Sequence, residues 1–283
     1  MDIKASDIKN LRERTGAGMM DCKKALVEAG GDFAGAEKLL REWGMAGVEK
    51  RAGRATNEGR VFVKEGAGKV ALVEIACETD FVARNEDFIA FGEKLAGIAF
   101  DKGVAEPTPE LEGMVKDIAS VIKENITLKR VKLVSAGSGE FLHSYIHGEG
   151  KLGVIVRFRS DKPEAFKNDK VAAFVHDVAL HIAAFNPMFL DSTKPSPAWI
   201  KEQEEIFKAQ VEGDEKMKGK PEKVVQGILA GKLKKLFAEV CLLEQGFVKE
   251  EKTPVAQMMA SVAKEAGCKL ELVDFVYAKV GEA

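Results

Sequence analysis

The chain has 283 residues, 46% of them hydrophobic and 31% charged, with 43 Lys+Arg against 45 Asp+Glu. This composition excludes a disordered chain, and the length allows roughly two domains with a sizeable core. The near-neutral balance argues against nucleic acid as a direct partner, because nucleic-acid binders carry a basic surplus on one face; Lys232, Lys234 and Lys235 make only a small basic patch.

Residues 1–45 read as three short helices. Ser6 and Asp7 are expected to start the first, which carries Ile8, Leu11 and Arg12 and stops at Thr15-Gly16-Ala17-Gly18. The second runs from Met19 to Ala29 and ends at Gly30-Gly31. Asp32 is placed to cap a third through Phe33, Ala36, Leu39, Leu40 and Trp43. The apolar set of this bundle is thin, and Met19-Met20 at a helix start is expected to be partly exposed. Residues 46–59, part of a Gly-containing stretch of mixed charge, read as a linker with a short helix near Glu49.

An internal repeat follows. Arg60 to Ile75 reads strand, Gly turn, strand, and Phe141 to Phe158 reads the same way. The turn Gly66-Ala67-Gly68-Lys69 aligns with Gly148-Glu149-Gly150-Lys151. Each hairpin leads into a helix (Glu86–Phe100, Val171–Phe185), then a second helix and a third strand: Leu111–Lys123 with Thr127–Ser135, and Val255–Ala266 with Lys269–Lys279. The pattern predicts an α+β fold of two repeated subdomains, 60–138 and 139–190 with 242–283, each a small antiparallel sheet with helices on one face. The second half carries an insertion, 191–241, with Ile200, Phe207 and Val211 on one helix and Val225, Leu229, Leu233, Leu236 and Val240 on the next. Its charged tip spans Gly213–Pro221. Such a pair forms an antiparallel helical hairpin that either projects as an arm or lies flat on the sheet.

The corner Thr79-Asp80-Phe81-Val82 joins the alternating strand Val70–Cys77 to a helix starting near Asn85. Two readings apply. Thr79 or Asp80 caps a helix start while Phe81 folds back as a hydrophobic staple. Alternatively Phe81 faces outward and a partner takes the ring, since the next helix already has an apolar face of Phe88, Phe91, Leu95 and Ile98.

Recognisable catalytic chemistry is missing. Gly66-Ala-Gly-Lys69 has Val63 and Val70 where a phosphate-binding loop needs Gly and Ser or Thr, so a hairpin turn explains it better. His143 and His147 share a strand face without further ligands, and His176 and His181 point in different directions on a helix. No carboxylate is expected in an apolar setting that would raise its pKa. Cys22, Cys77, Cys241 and Cys268 form no Cys-x-x-Cys pair, which suits reduced thiols in a cytoplasmic protein without disulfide or zinc. No apolar run approaches the ~20 residues that span a bilayer, and the N-terminus lacks signal-peptide character, so no membrane partner is expected. The chain reads as a binding protein with no cofactor. Rival readings are an RNA binder, a small-molecule enzyme and an adaptor.

These residues strongly resemble the bacterial translation elongation factor Ts family, the guanine-nucleotide exchange factors of elongation factor Tu. Leu11-Arg-Glu-Arg-Thr-Gly-Ala-Gly-Met-Met-Asp-Cys-Lys-Lys-Ala-Leu26 resembles the family's N-terminal signature, and Thr79-Asp-Phe-Val82 its exchange motif. Tyr145-Ile-His-Gly148 and Gly231-Lys-Leu-Lys-Lys-Leu-Phe…Glu239-Val…Gln245-Gly-Phe-Val248 resemble two further blocks, in the right order. The resemblance covers nearly the whole chain. It implies a non-enzymatic exchange factor that binds elongation factor Tu with GDP, perturbs its magnesium and phosphate site through Thr79, Asp80, Phe81 and Val82, and promotes GDP release. It also implies a ubiquitin-associated-like bundle docking through Leu11, Arg12, Met19 and Met20, contacts by His147, Phe247 and Val248 from the second subdomain, and a coiled-coil arm. Gly246 stands where the family's block has Pro, a change expected to loosen that turn. The chain ends at Ala283, after its last strand, so contacts of the C-terminal module found in some members are not carried over. A homodimer through the core or the arm is left open.

Overall fold

A computed structural model describes residues 3–213 and 221–282. Three helices come first: α1 (Ala5–Thr15), α2 (Met19–Glu28) and α3 (Phe33–Arg51). They enclose a small core of Ile8, Leu11, Cys22, Ala25, Leu26 and Ala36, flanked by Phe33, Leu40 and Trp43. Gly16, at φ 69°, ends α1, and Asp32 caps α3 by accepting from the amides of Ala34 and Gly35. The start of α1 differs from expectation. Lys4 is the N-cap residue and makes no side-chain cap bond, so Ser6 and Asp7 lie in the first turn, where the Asp7 carboxylate suits the positive end of the helix dipole.

The first sheet has β1 (Glu58–Gly66), β2 (Lys69–Cys77) and β3 (Thr127–Ser135) in the order β1-β2-β3, both pairs antiparallel. Ala67 and Gly68, at φ 46° and 71°, form the two-residue turn between β1 and β2. After β2 come α4 (Asp80–Ala83), α5 (Glu86–Lys102) and α6 (Pro109–Ile122). Ala71, Val73, Ile75 and Cys77 alternate onto one face of β2 and pack with Phe88, Leu95, Ala96 and Ala99 of α5 and Leu111, Val115 and Ala119 of α6. Helix α3 runs on to Arg51 without a break, where a linker with a separate short helix is expected. A Cβ on Gly44 would lie 2.8 Å from the Ser120 Cβ, so this glycine marks close approach to α6 and not a chain break.

β2 is buried from Val70 to Cys77, which corrects the expectation about carboxylates. Glu74 is 1% exposed, and burial pushes its carboxyl above the ordinary range, with Arg130 and Lys129 opposing that shift. Arg130 sits opposite it in the β2–β3 register at 3.4 Å. A central strand covered on both faces buries whatever stands at its alternate positions, and one-dimensional alternation does not reveal the second cover.

The repeat continues with β4 (Glu140–His147) and β5 (Leu152–Ser160), a short 3-10 turn (Pro163–Lys167) and α7 (Asp169–Phe185). Then follow α8 (Pro197–Gly213), α9 (Glu222–Val240), β6 (Gly246–Phe247), β7 (Glu250–Pro254), α10 (Val255–Ala266) and β8 (Leu270–Lys279). The second sheet has the order β4-β5-β8, so in both halves the third strand adjoins the second strand of the hairpin. Within the insertion, Lys232 Nζ lies 5.6 Å over the Phe207 ring and 3.1 Å from Gln210 Oε1, while Phe189 bridges to Cys241. These pairings set α9 running back along α8. Val211 is the buried residue of α8 and α9 has none. The expected tip, apart from Gly213 and Pro221, lies outside the described residues.

The chain forms two compact units. The first takes in the chain through Ser135, Ile146–Gly153 and the residues from Ala278 onward; the second is Ala136–Tyr145 with Val154–Tyr277. Gly246 stands where the chain passes close to Glu251. The Glu251 carbonyl oxygen lies 2.2 Å from where a Cβ would stand, so the backbone closes on this glycine. Among the described residues, no helix is long and apolar enough to cross a membrane, and no group of three or more metal-ligating side chains occurs. The cysteines are free; burial pushes the Cys77 thiol up to about 12 and the Cys241 thiol to about 11.

Candidate partner-binding site

Between β2 and α5 the chain makes one helical turn, α4, whose first cap is Thr79. The Thr79 hydroxyl accepts from the Val82 amide at 3.3 Å, and the Ala83 amide donates to the Thr79 carbonyl at 3.2 Å. Asn85 then caps α5, accepting from the amides of Asp87 and Phe88 at 2.9 and 3.1 Å. Both sequence readings of this corner therefore hold in part. Thr79 does cap a helix, but Phe81 does not fold back: it is 80% exposed. An apolar ring left this far out of the core forgoes roughly 1.5–3 kcal/mol of available burial.

The remaining corner residues face differently. Val82 packs at the edge of the first unit's core, and Ala83 lies inside it. The Asp80 carboxylate pairs with the Arg84 guanidinium at 3.5 Å across one helical turn. Beside the corner is a cleft of about 320 Å³ lined by Arg60, Asp80, Arg84, Glu149 and Lys151, also within the first unit. Arg60 pairs with Glu149 at 3.7 Å and Lys151 with Glu58, so the cleft wall is charged but internally balanced.

The other sequence-selected residues divide by exposure. In the bundle, Arg12 is exposed, Met19 is 43% and Met20 76% exposed, and Leu11 is fully buried. Val27, absent from the sequence-selected set, is 60% exposed and lies seven residues after Met20, two turns along the same face of α2. Its apolar character at that spacing was the available signal. His147 is exposed at the end of β4. Phe247 is a core residue, 4% exposed, with its ring centroid 5.7 Å from that of Phe174. Val248 donates its amide to His181 Nδ1 at 3.1 Å, and His181 Nε2 donates to Gln245 Oε1 at 2.9 Å. His181 is fully buried, and burial holds its pKa below the ordinary range, so the ring is neutral and structural. His143 Nε2 meets His176 Nδ1 at 3.0 Å, a contact that strand and helix periodicity did not bring together.

The family model for elongation factor TS matches residues 78–282, beginning one residue before the corner. Elongation factor Ts of Treponema denticola is 50% identical over 281 residues, covering 99% of each chain. That of Borrelia recurrentis is 45% identical over 284 residues, with 99% of this chain and 100% of the relative covered. This chain belongs to the elongation factor Ts family. Elongation factor Ts of Treponema pallidum is 41% identical over 292 residues, again covering 99% of each. The likeness to these elongation factor Ts proteins takes in the bundle, the repeat and the inserted helices, since almost the full length of each is matched.

Proposed function

We propose that this protein is a guanine-nucleotide exchange factor of translation elongation: it binds elongation factor Tu carrying GDP and speeds GDP release. The observation that carries the reading is Phe81, an aromatic ring 80% exposed on a capped turn at the start of the family-matched region. In this account Phe81 wedges between elements of the partner beside its nucleotide pocket, while Asp80 and Thr79 hold the corner and bond to partner groups. The wedge displaces the elements that organise magnesium. With the cation lost, less positive charge offsets the GDP phosphates, and GDP leaves faster.

No covalent bond changes, so the acceleration is differential binding. The protein binds nucleotide-free partner more tightly than GDP-bound partner, and by reciprocity nucleotide weakens the protein complex by the same factor. Residues 1–45 act as a ubiquitin-associated-like bundle, docking on the partner's nucleotide-binding domain through Arg12, Met19 and Met20, with buried Leu11 holding α1 in place. The last helix of the bundle runs on to Arg51, so the segment joining it to β1 is 52–57 in place of 46–59; the core subdomains are 60–138 and 139–190 with 242–283, and 191–241 is a coiled-coil arm that reaches a neighbouring partner domain. His147 and Val248 contact the partner, and buried Phe247 shapes the turn that presents Val248. The protein works in the cytoplasm without a cofactor, nucleic acid or membrane. Pull-down from a bacterial lysate is expected to retain one abundant GTPase; retention of RNA in its place contradicts the reading.

A further inference from the structure

We propose that Glu124 is the positioning residue of the exchange corner, a role that rests on the exchange reading above. The Phe81 ring is 80% exposed, so its aim depends on the backbone of α4. That helix has four residues, Asp80–Ala83, far below the roughly 12–15 at which helices become marginally stable alone. An outside anchor must therefore fix the turn. Glu124 supplies it from the loop between α6 and β3, where Lys123 at φ 67° ends α6 and turns the chain toward the corner.

The Glu124 carboxylate accepts three hydrogen bonds from the corner. The Thr79 hydroxyl donates to Oε1 at 2.6 Å, and the amides of Glu78 and Thr79 donate to Oε2 at 3.1 Å each. Bonds to an ionised acceptor are roughly twice as strong as neutral ones. The Thr79 hydroxyl also accepts from the Val82 amide, so one oxygen relays Glu124's hold into α4 itself. The clamp is reciprocal: the Asn125 amide donates back to Glu78 Oε1 at 2.7 Å. Asn125 is 5% exposed, and its side-chain amide donates to the carbonyls of Ala52 and Arg54 at 3.3 and 2.7 Å, which fixes the loop in turn. Glu124 thus sets where Phe81 stands without being exposed to the partner as Phe81 is.

The test uses the full chain and elongation factor Tu loaded with a fluorescent GDP. Glu124→Gln keeps the side-chain shape but turns one acceptor oxygen into an NH2 that cannot pair with the corner's donors. The expected result is a fall of about tenfold in the maximum GDP release rate, the size of one charge-assisted hydrogen bond, with a much smaller change in the half-saturating concentration. Amide exchange is expected to quicken at Glu78, Thr79 and Val82 while β2 and α5 keep their protection, which a general loss of stability would not produce. In the Phe81→Ala background, Glu124→Gln is expected to add less than about twofold, because both act through one ring. Should Glu124→Gln fold poorly, Glu124→Asp keeps the charge but draws the carboxylate back by one methylene from its three donors, and is expected to lower the same rate. Wild-type release by a folded Glu124→Gln, beside slow release by Phe81→Ala, overturns the inference and leaves the exchange function standing. Full additivity of the two substitutions also overturns it. A wild-type protein that does not speed release overturns the exchange reading and this inference together.

Discussion

Phe81 and Phe88 stand seven residues apart and have opposite fates, because one begins an external turn and the other lies under β2. Phe88 is fully buried and Phe81 is 80% exposed. Phe88→Ala is expected to cost about 3–5 kcal/mol in urea unfolding, while Phe81→Ala leaves the unfolding midpoint unchanged within error. A large stability loss in Phe81→Ala would mean that the ring packs on the protein's own core in solution. His181 carries a pH dependence whose sign follows from its lowered pKa. The unfolded chain takes up a proton at about pH 6.5 that the folded one refuses, so this stability is complete above that pH. It is lost as the pH falls from there through the folded pKa. Urea midpoints measured from pH 7.5 to 5 are expected to drop below pH 6.5 and to drop less in His181→Gln. The thiols should differ as well: Cys268 is partly exposed, whereas Cys22, Cys77 and Cys241 are buried, so a thiol reagent at pH 8 is expected to modify Cys268 first.

At the scale of elements, the hairpins, β3 and α10 were legible because their apolar alternation or helical spacing is strong and their turns carry Gly. The path of α3 past Gly44 was not, since a glycine that admits a neighbouring helix looks in sequence like one that breaks the chain. Nor was the buried Glu74, whose surroundings depend on a second layer over β2. The corner was legible as a place but not as a mechanism of support. Glu124 is 45 residues from Thr79 in sequence, and nothing local marks that bond. The inserted helices offer a further test. With no buried residue, α9 has little packing to protect its amides, so hydrogen exchange is expected to be faster in α9 than in β2 or α5. Equal protection would indicate that α9 is covered in solution.

For the whole molecule, the repeated hairpin–helix–helix–strand order builds two sheets of the same strand order, and the second copy received the insertion at a loop. One compact unit carries both the bundle's exposed methionines and the Phe81 corner, so the residues proposed to dock and to wedge belong to the same unit. Differential binding on this scale requires that the protein's affinity for nucleotide-free elongation factor Tu exceed its affinity for the GDP form, with Phe81 supplying about 1–3 kcal/mol of the difference. The most direct test follows release of a fluorescent GDP analogue from elongation factor Tu with wild-type protein and with Phe81→Ala. The account predicts strong acceleration by the wild type and a loss of about 5–150-fold in that acceleration for Phe81→Ala, with partner binding retained through the bundle. Equal release rates for the two proteins would contradict it.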